Sequence, residues 1–305
     1  MMKYPFLIYV SIIFLFSSCH SLVDDEFPNY EPIPVLNSLL LADSTFKVQV
    51  SLTANLNDSA TILVKNALVI IESNVDTPDT LVYTQKGWYI SARTVKAGKS
   101  YTCKAIIPGY NTISASTTVP LTTEVRTVIF TDLASRGEEG EKISSFEFTI
   151  ANNKTQKQYW MVQLVNEGLK SDYNFETGEW IEYYGDEEEY IYMLAEQDSV
   201  LLNEANPLTL FTNKFMKGDS YKVKFYINSN STHLEDRSGN YYILLYTVDE
   251  TYYRYLKQYY IYESAQYPSI GQSNQKYQMY SNVKNGLGLF TGMSVTRKVI
   301  SAPNP

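Results

Sequence analysis

Alternating apolar and polar side chains are the feature that most constrains the fold of this chain of 305 residues. In the segment FKVQVSL, residues 46–52, the side chains of Phe46, Val48, Val50 and Leu52 are apolar and those between them are polar. A period of two is that of a β-strand with one buried face. We therefore expect strands to build most of this protein.

Further candidate strands follow, each bounded by turn residues such as Gly87 and the pair Pro108-Gly109. The expected strands are residues 34–41, 46–52, 67–71, 80–84, 88–92, 101–107 and 113–119. Short strands at this spacing are typical of a β-sandwich. We predict an immunoglobulin-like β-sandwich over residues 33–120, with Pro120 at its boundary.

The rest of the chain, residues 121–305, is expected to form a larger β-rich domain, so the predicted fold class is all-β. Its candidate strands are residues 124–131, 146–151, 159–166, 180–184, 190–194, 221–227, 241–248 and 294–300. We expect a polar loop over residues 133–142 and an acidic turn over residues 186–189, because both stretches are rich in charged residues.

One amphipathic helix is expected inside this second domain, from Glu250 to about residue 263. Asp249 is a typical N-cap residue, and Glu250 places an acidic group in the first turn. The apolar stripe of the expected helix consists of Tyr252, Leu256, Tyr259 and Tyr260.

The N-terminal residues have the order of a bacterial lipoprotein signal. Lys3 precedes an apolar run over residues 6–16, and two serines then precede Cys19. The run is shorter than the roughly 20 residues that a membrane-spanning helix needs. We predict a signal peptide over residues 1–18 and lipidation of Cys19 by acyl chains such as palmitate; an ordinary cleaved signal peptide is the alternative.

Residues 19–32 are expected to form a tether behind the lipid. The tether contains the acidic run Asp24-Asp25-Glu26, which resembles the surface-export tag of Bacteroidetes lipoproteins. A hydrated segment without any export role has the same composition. Both interpretations stay open.

The charge and the cysteine content exclude several classes of protein. A formal net charge of −8, without a long basic cluster, argues against a nucleic-acid partner. Lipidation of Cys19 would leave Cys103, the second of two cysteines, without a disulfide partner. Cys103 shares its alternating phase with Tyr101 and Ala105, so we expect a small buried side chain and not a reactive thiol.

Few residues have the pattern of a catalytic site. His20 lies in the expected tether and His233 in a polar segment, so neither a Ser-His-Asp triad nor a zinc cluster is indicated. Gly286, Gly288 and Gly292 do not have nucleotide-loop spacing, and we expect them to permit a tight turn or close strand packing. We predict no catalytic residue, no metal and no cofactor, although paired carboxylates, as in glycoside hydrolysis, leave no recognisable spacing.

Several segments of the chain resemble one known family. They are PVLNSLL (34–40), FKVQVS (46–51), VKNALV (64–69), GKSY (98–101), IPGY (107–110), YYRYL (252–256) and YSNVKNGLGLF (280–290). The last segment is the most specific. By these segments the chain resembles the uncharacterised Bacteroidetes outer-membrane lipoproteins grouped as domain of unknown function 4249.

The resemblance implies an all-β N-terminal module, a larger β-rich domain and frequent association with TonB-dependent receptors, the outer-membrane transporters that import large nutrients. It implies no catalytic residues. We therefore expect a non-enzymatic lipoprotein of the outer membrane, exposed at the cell surface, that binds a ligand or assists such a receptor in nutrient uptake. The alternative is an adhesion or envelope-structural lipoprotein.

Overall fold

A computed structural model describes residues 30–55, 61–74, 76–138, 140–191, 193, 200–201, 209–228, 240–266 and 279–300. The predicted signal peptide and most of the predicted tether lie outside these residues. Strands make up most of the described part of the chain, together with one long α-helix. The predicted fold class, an all-β protein with a single long helix, is thus confirmed.

The strands follow the chain with short connections where the structure describes them. They are β1 (Pro34–Leu41), β2 (Thr45–Leu52), β3 (Ile62–Leu63), β4 (Leu68–Ser73), β5 (Asp79–Thr80), β6 (Val82–Tyr83), β7 (Trp88–Thr94), β8 (Ser100–Ile106), β9 (Ile113–Thr118), β10 (Val125–Arg136), β11 (Lys142–Ala151), β12 (Tyr159–Asn174), β13 (Glu179–Ile191), β14 (Leu210–Thr212), β15 (Ser220–Asn228), β16 (Asn240–Val248) and β17 (Leu287–Ile300). The helices that lie wholly within the described residues are the short 3-10 helix η1 (Asn213–Phe215) and the α-helix α1 (Glu250–Gln266).

The strands form one long sheet and two small ones. The long sheet has the order β13-β12-β16-β17-β1-β2-β7-β6, with β14 beside β12 and β3 beside β2. The first small sheet has the order β5-β4-β8-β9, and the second small sheet has the order β10-β11-β15. Each small sheet packs on a different half of the long sheet, because each shares a hydrophobic core with it.

The first core lies between the first small sheet and the strands β1, β2 and β7 of the long sheet. Leu36 and Val48 from the long sheet are fully buried, as are Val69, Cys103 and Ile113 from the small sheet. The period of two in the sequence places these side chains inward and the polar residues outward. The predicted β-sandwich of the N-terminal part therefore forms.

The second core lies between the second small sheet and the strands β12 and β16. It is rich in aromatic side chains, among them Trp160, Phe148 and Phe225, which are fully buried. The indole Nε1 of Trp160 donates a hydrogen bond of 2.8 Å to the hydroxyl of Thr123. This bond satisfies the one polar atom that the ring carries into the core.

Strand β17 joins the two sandwiches. Its first half pairs in parallel with β1, from Val35 opposite Leu287 onward. Its second half pairs antiparallel with β16, ending with Tyr241 opposite Ile300. The described residues from Ile33 onward consequently form one compact unit, within which the chain passes from the first core to the second between Val119 and Val125.

The acidic segment at residues 186–189 was predicted to be a turn, and this prediction is wrong. These residues lie inside β13, which pairs with β12; Glu189, for example, is opposite Asn166. Glu188 pairs with Glu167, whereas Asp186 and Glu187 lie at a register shift between the two strands, as in a β-bulge. Pairing on both sides of this shift outweighs the low strand propensity of acidic residues. The expected polar loop at residues 133–142 is also shorter, because β10 extends to Arg136.

Three glycines bring β17 close to its neighbours, as the sequence predicted. A Cβ atom on Gly288 would lie 2.1 Å from the carbonyl oxygen of Leu36, and the residue has a φ of +116°. A Cβ on Gly292 would lie 2.9 Å from Cα of Val119. The family-specific segment at the start of β17 is thus explained by contact of backbone with backbone.

We predict that Gly288→Ala destabilises the protein far more than Gly109→Ala does. Both glycines have positive φ, but a Cβ at position 109 meets no atom within 4 Å. The control should cost about 1 kcal/mol, whereas Gly288→Ala should cost roughly 4 kcal/mol or more because strand β1 must move. Urea denaturation of both variants measures the difference. Equal losses would contradict the proposed close approach.

Candidate functional site

Asp249 connects α1 to two strands. Its Oδ1 atom accepts a hydrogen bond of 2.7 Å from the backbone N–H of Tyr252, so it caps the helix as predicted. The same carboxylate accepts hydrogen bonds from the hydroxyls of Thr117 on β9 and Thr291 on β17. The backbone N–H of Gly292 lies 3.4 Å from its Oδ2 atom. One side chain therefore fixes the start of α1 to both sheets of the first sandwich.

Burial and hydrogen bonding shift the pKa of Asp249 in opposite directions. Burial raises the pKa of this carboxyl group above its ordinary value, and this is the largest effect. The hydrogen bonds from Thr117, Thr291 and the two backbone N–H groups oppose the rise in pKa. The carboxylate is thus held by hydrogen bonds from neutral donors among the described residues, and not by a cation.

The helix α1 has no described residue that is fully buried. Of the predicted apolar stripe, Tyr252, Leu256 and Tyr260 are half-buried, but Tyr259 is exposed and its hydroxyl bonds the carboxylate of Glu263. Tyr253, Tyr255 and Lys257, which lie off the predicted stripe, are half-buried as well, so burial along α1 does not follow that stripe. Because α1 lies on the surface, its side chains are available to line a cleft.

A cleft of about 720 Å³ lies beside the second sandwich. It is bounded by the loop between β11 and β12, by η1 and by the side of α1 that carries Tyr253 and Lys257. We call it the lysine cleft, because its lining includes Lys154, Lys157, Lys214 and Lys257.

Asn213 organises the wall of the lysine cleft. Its Nδ2 atom donates to the carbonyl oxygens of Asn153, at 2.9 Å, and Gln156, at 2.8 Å. Its Oδ1 atom accepts from the backbone N–H of Gln158 at 3.1 Å. The adjacent Asn152 is buried and donates to the carbonyl oxygen of Gly218 at 2.9 Å. These hydrogen bonds of the two asparagine side chains hold the loop and η1 together before any ligand binds.

The charge of the lysine cleft is opposite to that of the whole chain. The described lining residues include four lysines and neither aspartate nor glutamate. Lys154 forms a 2.7 Å ion pair with the exposed Asp219 at the rim, and this bond lowers the pKa of the aspartate. The chain as a whole has a formal charge of −8, so the cleft is a local basic region on an acidic protein.

Aromatic rings lie beside these lysines. The rings of Tyr159 and Tyr253 have centroids 4.9 Å apart, and the ammonium group of Lys257 lies 5.4 Å from the ring centroid of Tyr253. Lys214 lies 4.9 Å from the ring centroid of Phe215, which is 45% exposed. Burial, followed by the nearby charge of Glu250, raises the pKa of Tyr159, so its hydroxyl keeps its proton near neutral pH.

The hairpin of β12 and β13 extends beyond the rest of the long sheet. Strand β16 pairs with β12 only as far as Glu167, and among the described strands the outer half of β12 pairs only with β13. At its tip Phe175 is 91% exposed and packs edge-on against Tyr173, with ring centroids 5.1 Å apart. We call this outer part of the hairpin the arm.

Of the residues singled out in the sequence, the structure describes Cys103 but neither Cys19 nor His233. Cys19, the predicted lipidation site, lies outside the described residues, as does His233. Cys103 is fully buried on β8, and burial raises the pKa of its thiol to about 12. This confirms that Cys103 is a packing residue without thiolate reactivity.

The described residues hold neither a metal-binding cluster nor a membrane-spanning helix. Groups of three or more His, Cys, Asp or Glu side chains placed to bind a metal are not found there. The described helices include none that is long and apolar enough to cross a membrane. A second cleft, of about 690 Å³, lies beside the cap of α1 and includes Glu72, Asp249 and Glu250 in its lining. We take the lysine cleft as the candidate site because its lining combines several cationic side chains with aromatic rings.

Sequence reasoning did not find the lysine cleft. Its lysines come from three segments, near residues 154–157, 214 and 257. The first two meet because β14 pairs with the start of β12, and the third joins them because α1 packs on Tyr159. A local signal exists, since Lys214 is adjacent to Phe215 and Lys257 follows Tyr253 by one helical turn. Neither pair alone distinguishes a ligand site from an ordinary surface.

We predict that Asp249→Ala costs about 2–4 kcal/mol of stability at neutral pH, because it removes an N-cap and leaves two buried hydroxyls without their acceptor. Asp249→Asn should cost less, since its amide oxygen still accepts the N–H of Tyr252. The folded state has the raised pKa and so binds the proton more tightly than the unfolded state does.

The stability of the natural protein should for that reason contain a component that falls as pH rises from about 3.8 through the raised pKa. Asp249→Asn should lack this component. Urea denaturation over a pH series measures the difference between the two proteins. Parallel pH profiles for the natural protein and Asp249→Asn would contradict the prediction.

Comparison with known proteins agrees with the resemblance seen in the sequence. The family model described as "Domain of unknown function (DUF4249)" matches residues 21–299. No curated protein matches the chain. Since the family model covers far more than half of the 305 residues, this chain belongs to the DUF4249 family, a family of unknown function.

Proposed function

We propose that this protein is a lipid-anchored, non-enzymatic binding protein of the outer membrane that assists a TonB-dependent receptor in nutrient uptake. The observation that carries the proposal is the lysine cleft. The ammonium groups of its lysines can attract a ligand by charge, and its aromatic rings can contact the ligand. The hydrogen-bonded wall of the cleft keeps these groups in place. Pockets of about 300–1,000 Å³ are typical of small-molecule binding, and the cleft lies within that range.

The proposed anchor is the lipid on Cys19. The order of Lys3, an apolar run and two serines before Cys19 supports it. A lipid at the start of the chain, followed by the tether, would hold the binding body at the membrane surface. The acidic run in the tether supports export to the outer face of the outer membrane.

The proposed contact with the receptor is the arm. Phe175, at the tip of the hairpin, is 91% exposed. Its ring is removed from water only when a partner covers it. Tyr173 and Ile181 enlarge the exposed apolar area on the same hairpin. An arm of this kind also suits attachment to a surface, which favours the adhesion alternative, and the receptor experiment below separates the two functions.

We predict that the mature protein begins at Cys19 and carries acyl chains. Mass spectrometry of the N-terminal peptide should show the added mass, and Cys19→Ser should move the protein out of the membrane fraction. Cys103→Ser is the matched control, because Cys103 is buried in the first core and should leave the lipid in place. An unmodified residue 19 would overturn the anchor.

We also predict that the tagged protein, cross-linked in intact cells, captures a TonB-dependent receptor. Phe175→Ser should reduce this capture severalfold without unfolding the protein, since the side chain is 91% exposed. Val82→Ser, which changes a 69% exposed side chain of the first sandwich, is the control and should leave capture unchanged. Failure to capture a receptor, with normal nutrient uptake in a deletion strain, would refute the receptor role and favour adhesion.

A further inference from the structure

We propose that the lysine cleft binds an acidic oligosaccharide, a chain of sugar rings that carry carboxylate groups. This inference rests on the proposed function and names its ligand class. Three features of the cleft lead to it: four lysines without an acidic side chain in the described lining, aromatic rings beside them, and a wall that is formed before binding.

The positive charges require an anionic ligand. Lys157 and Lys214 form no ion pair with any described residue. Lys154 is paired, but its partner Asp219 is almost fully exposed, and exposed pairs of this kind are weak and exchangeable. The lysines are distributed over a loop, η1 and α1, so a ligand with several separated charges satisfies more of them than a single compact anion does.

The aromatic rings require a ligand with apolar faces. Phe215 is 45% exposed, and the paired rings of Tyr159 and Tyr253 line the same cleft. A sugar ring has C–H groups on its faces that can cover such a ring and remove its apolar surface from water. Carboxylates on the edge of the same sugar then reach the adjacent lysines.

The hydrogen-bonding groups of the cleft fit sugar hydroxyls. The hydroxyl of Thr155 donates to Oδ1 of Asn153 at 2.7 Å, and its oxygen can still accept from a sugar hydroxyl. The amide group of Gln156 both donates and accepts. The hydrogen bonds of the Asn213 side chain fix the wall of the cleft in advance. This reduces the conformational entropy that is lost on binding. The volume of about 720 Å³ is large for a single small anion and suits a short oligomer.

An acidic peptide is the competing ligand, and the lining disfavours it. Extended peptides bind mainly by adding a strand to a free sheet edge. The described lining residues come from a loop, a 3-10 helix and the side of α1, with only Tyr159 and Thr212 from strands. Residues 159 and 212 already face each other across the pair of β12 and β14.

The test is titration calorimetry of the full chain in detergent with short oligogalacturonate. We expect saturable binding that weakens as salt is added. The methyl-esterified oligomer has the same sugar rings without the charge and should bind at least tenfold more weakly. Poly-glutamate of matched charge should also bind more weakly, because it lacks the sugar faces.

Variants locate the site. Lys157→Gln with Lys214→Gln should weaken binding of oligogalacturonate roughly tenfold. Lys47→Gln with Lys65→Gln removes the same charge from exposed positions outside the cleft and should change affinity less than about twofold. Phe215→Ala should weaken binding of the sugar severalfold and leave binding of poly-glutamate unchanged. Thermal unfolding of each variant checks that the fold is retained.

Three results would overturn the proposal. They are no binding of oligogalacturonate at millimolar concentration, equal losses in the two double-lysine variants, and tighter binding of poly-glutamate than of the sugar. The outcome does not depend on receptor capture. The ligand class and the receptor role can therefore fail separately.

Discussion

The rest of the structure depends on the pairing of β17 with two different neighbours. Its first half is parallel to β1 and its second half is antiparallel to β16, so one strand near the end of the chain belongs to both sandwiches. The first core is completed by Val283 and Phe290, and the second contains Ile300. The N-terminal sandwich thus lacks part of its core until almost the whole chain has been synthesised, and such distant contacts favour slow folding.

The position of the lysine cleft follows from this pairing through Asp249. The carboxylate fixes the first turn of α1 to β9 and β17. Tyr253 and Lys257 follow at steps of four residues, so they lie on one face of the helix. That face meets the start of β12, where Tyr159 packs against Tyr253. A change in the cap of the helix is therefore transmitted to one wall of the cleft.

Local patterns in the sequence predicted the local structure well. Alternation predicted β2, β8 and β9 to within about one residue at each end, and the turn before β2 indicated its partner β1. Asp249 was recognised as a helix cap because N-caps are set by adjacent residues. The prediction for residues 186–189 was wrong because their charge favours a turn. Pairing of β13 with the distant strand β12 places them in a strand. The lysine cleft was missed for the same reason, since its segments meet only through long-range strand pairing and the packing of α1 on the start of β12.

The arm and the cleft lie toward opposite ends of the same strand. Tyr159 begins β12 and lines the cleft, whereas Tyr173 lies near the end of β12 at the tip of the arm. A strand rises about 3.3 Å per residue, so these two positions are separated by roughly 45 Å along the chain. A partner whose contact is confined to the tip of the arm consequently leaves the cleft open. If the proposed roles hold, ligand capture and receptor contact do not compete for one surface, and a receptor-bound molecule can still load ligand.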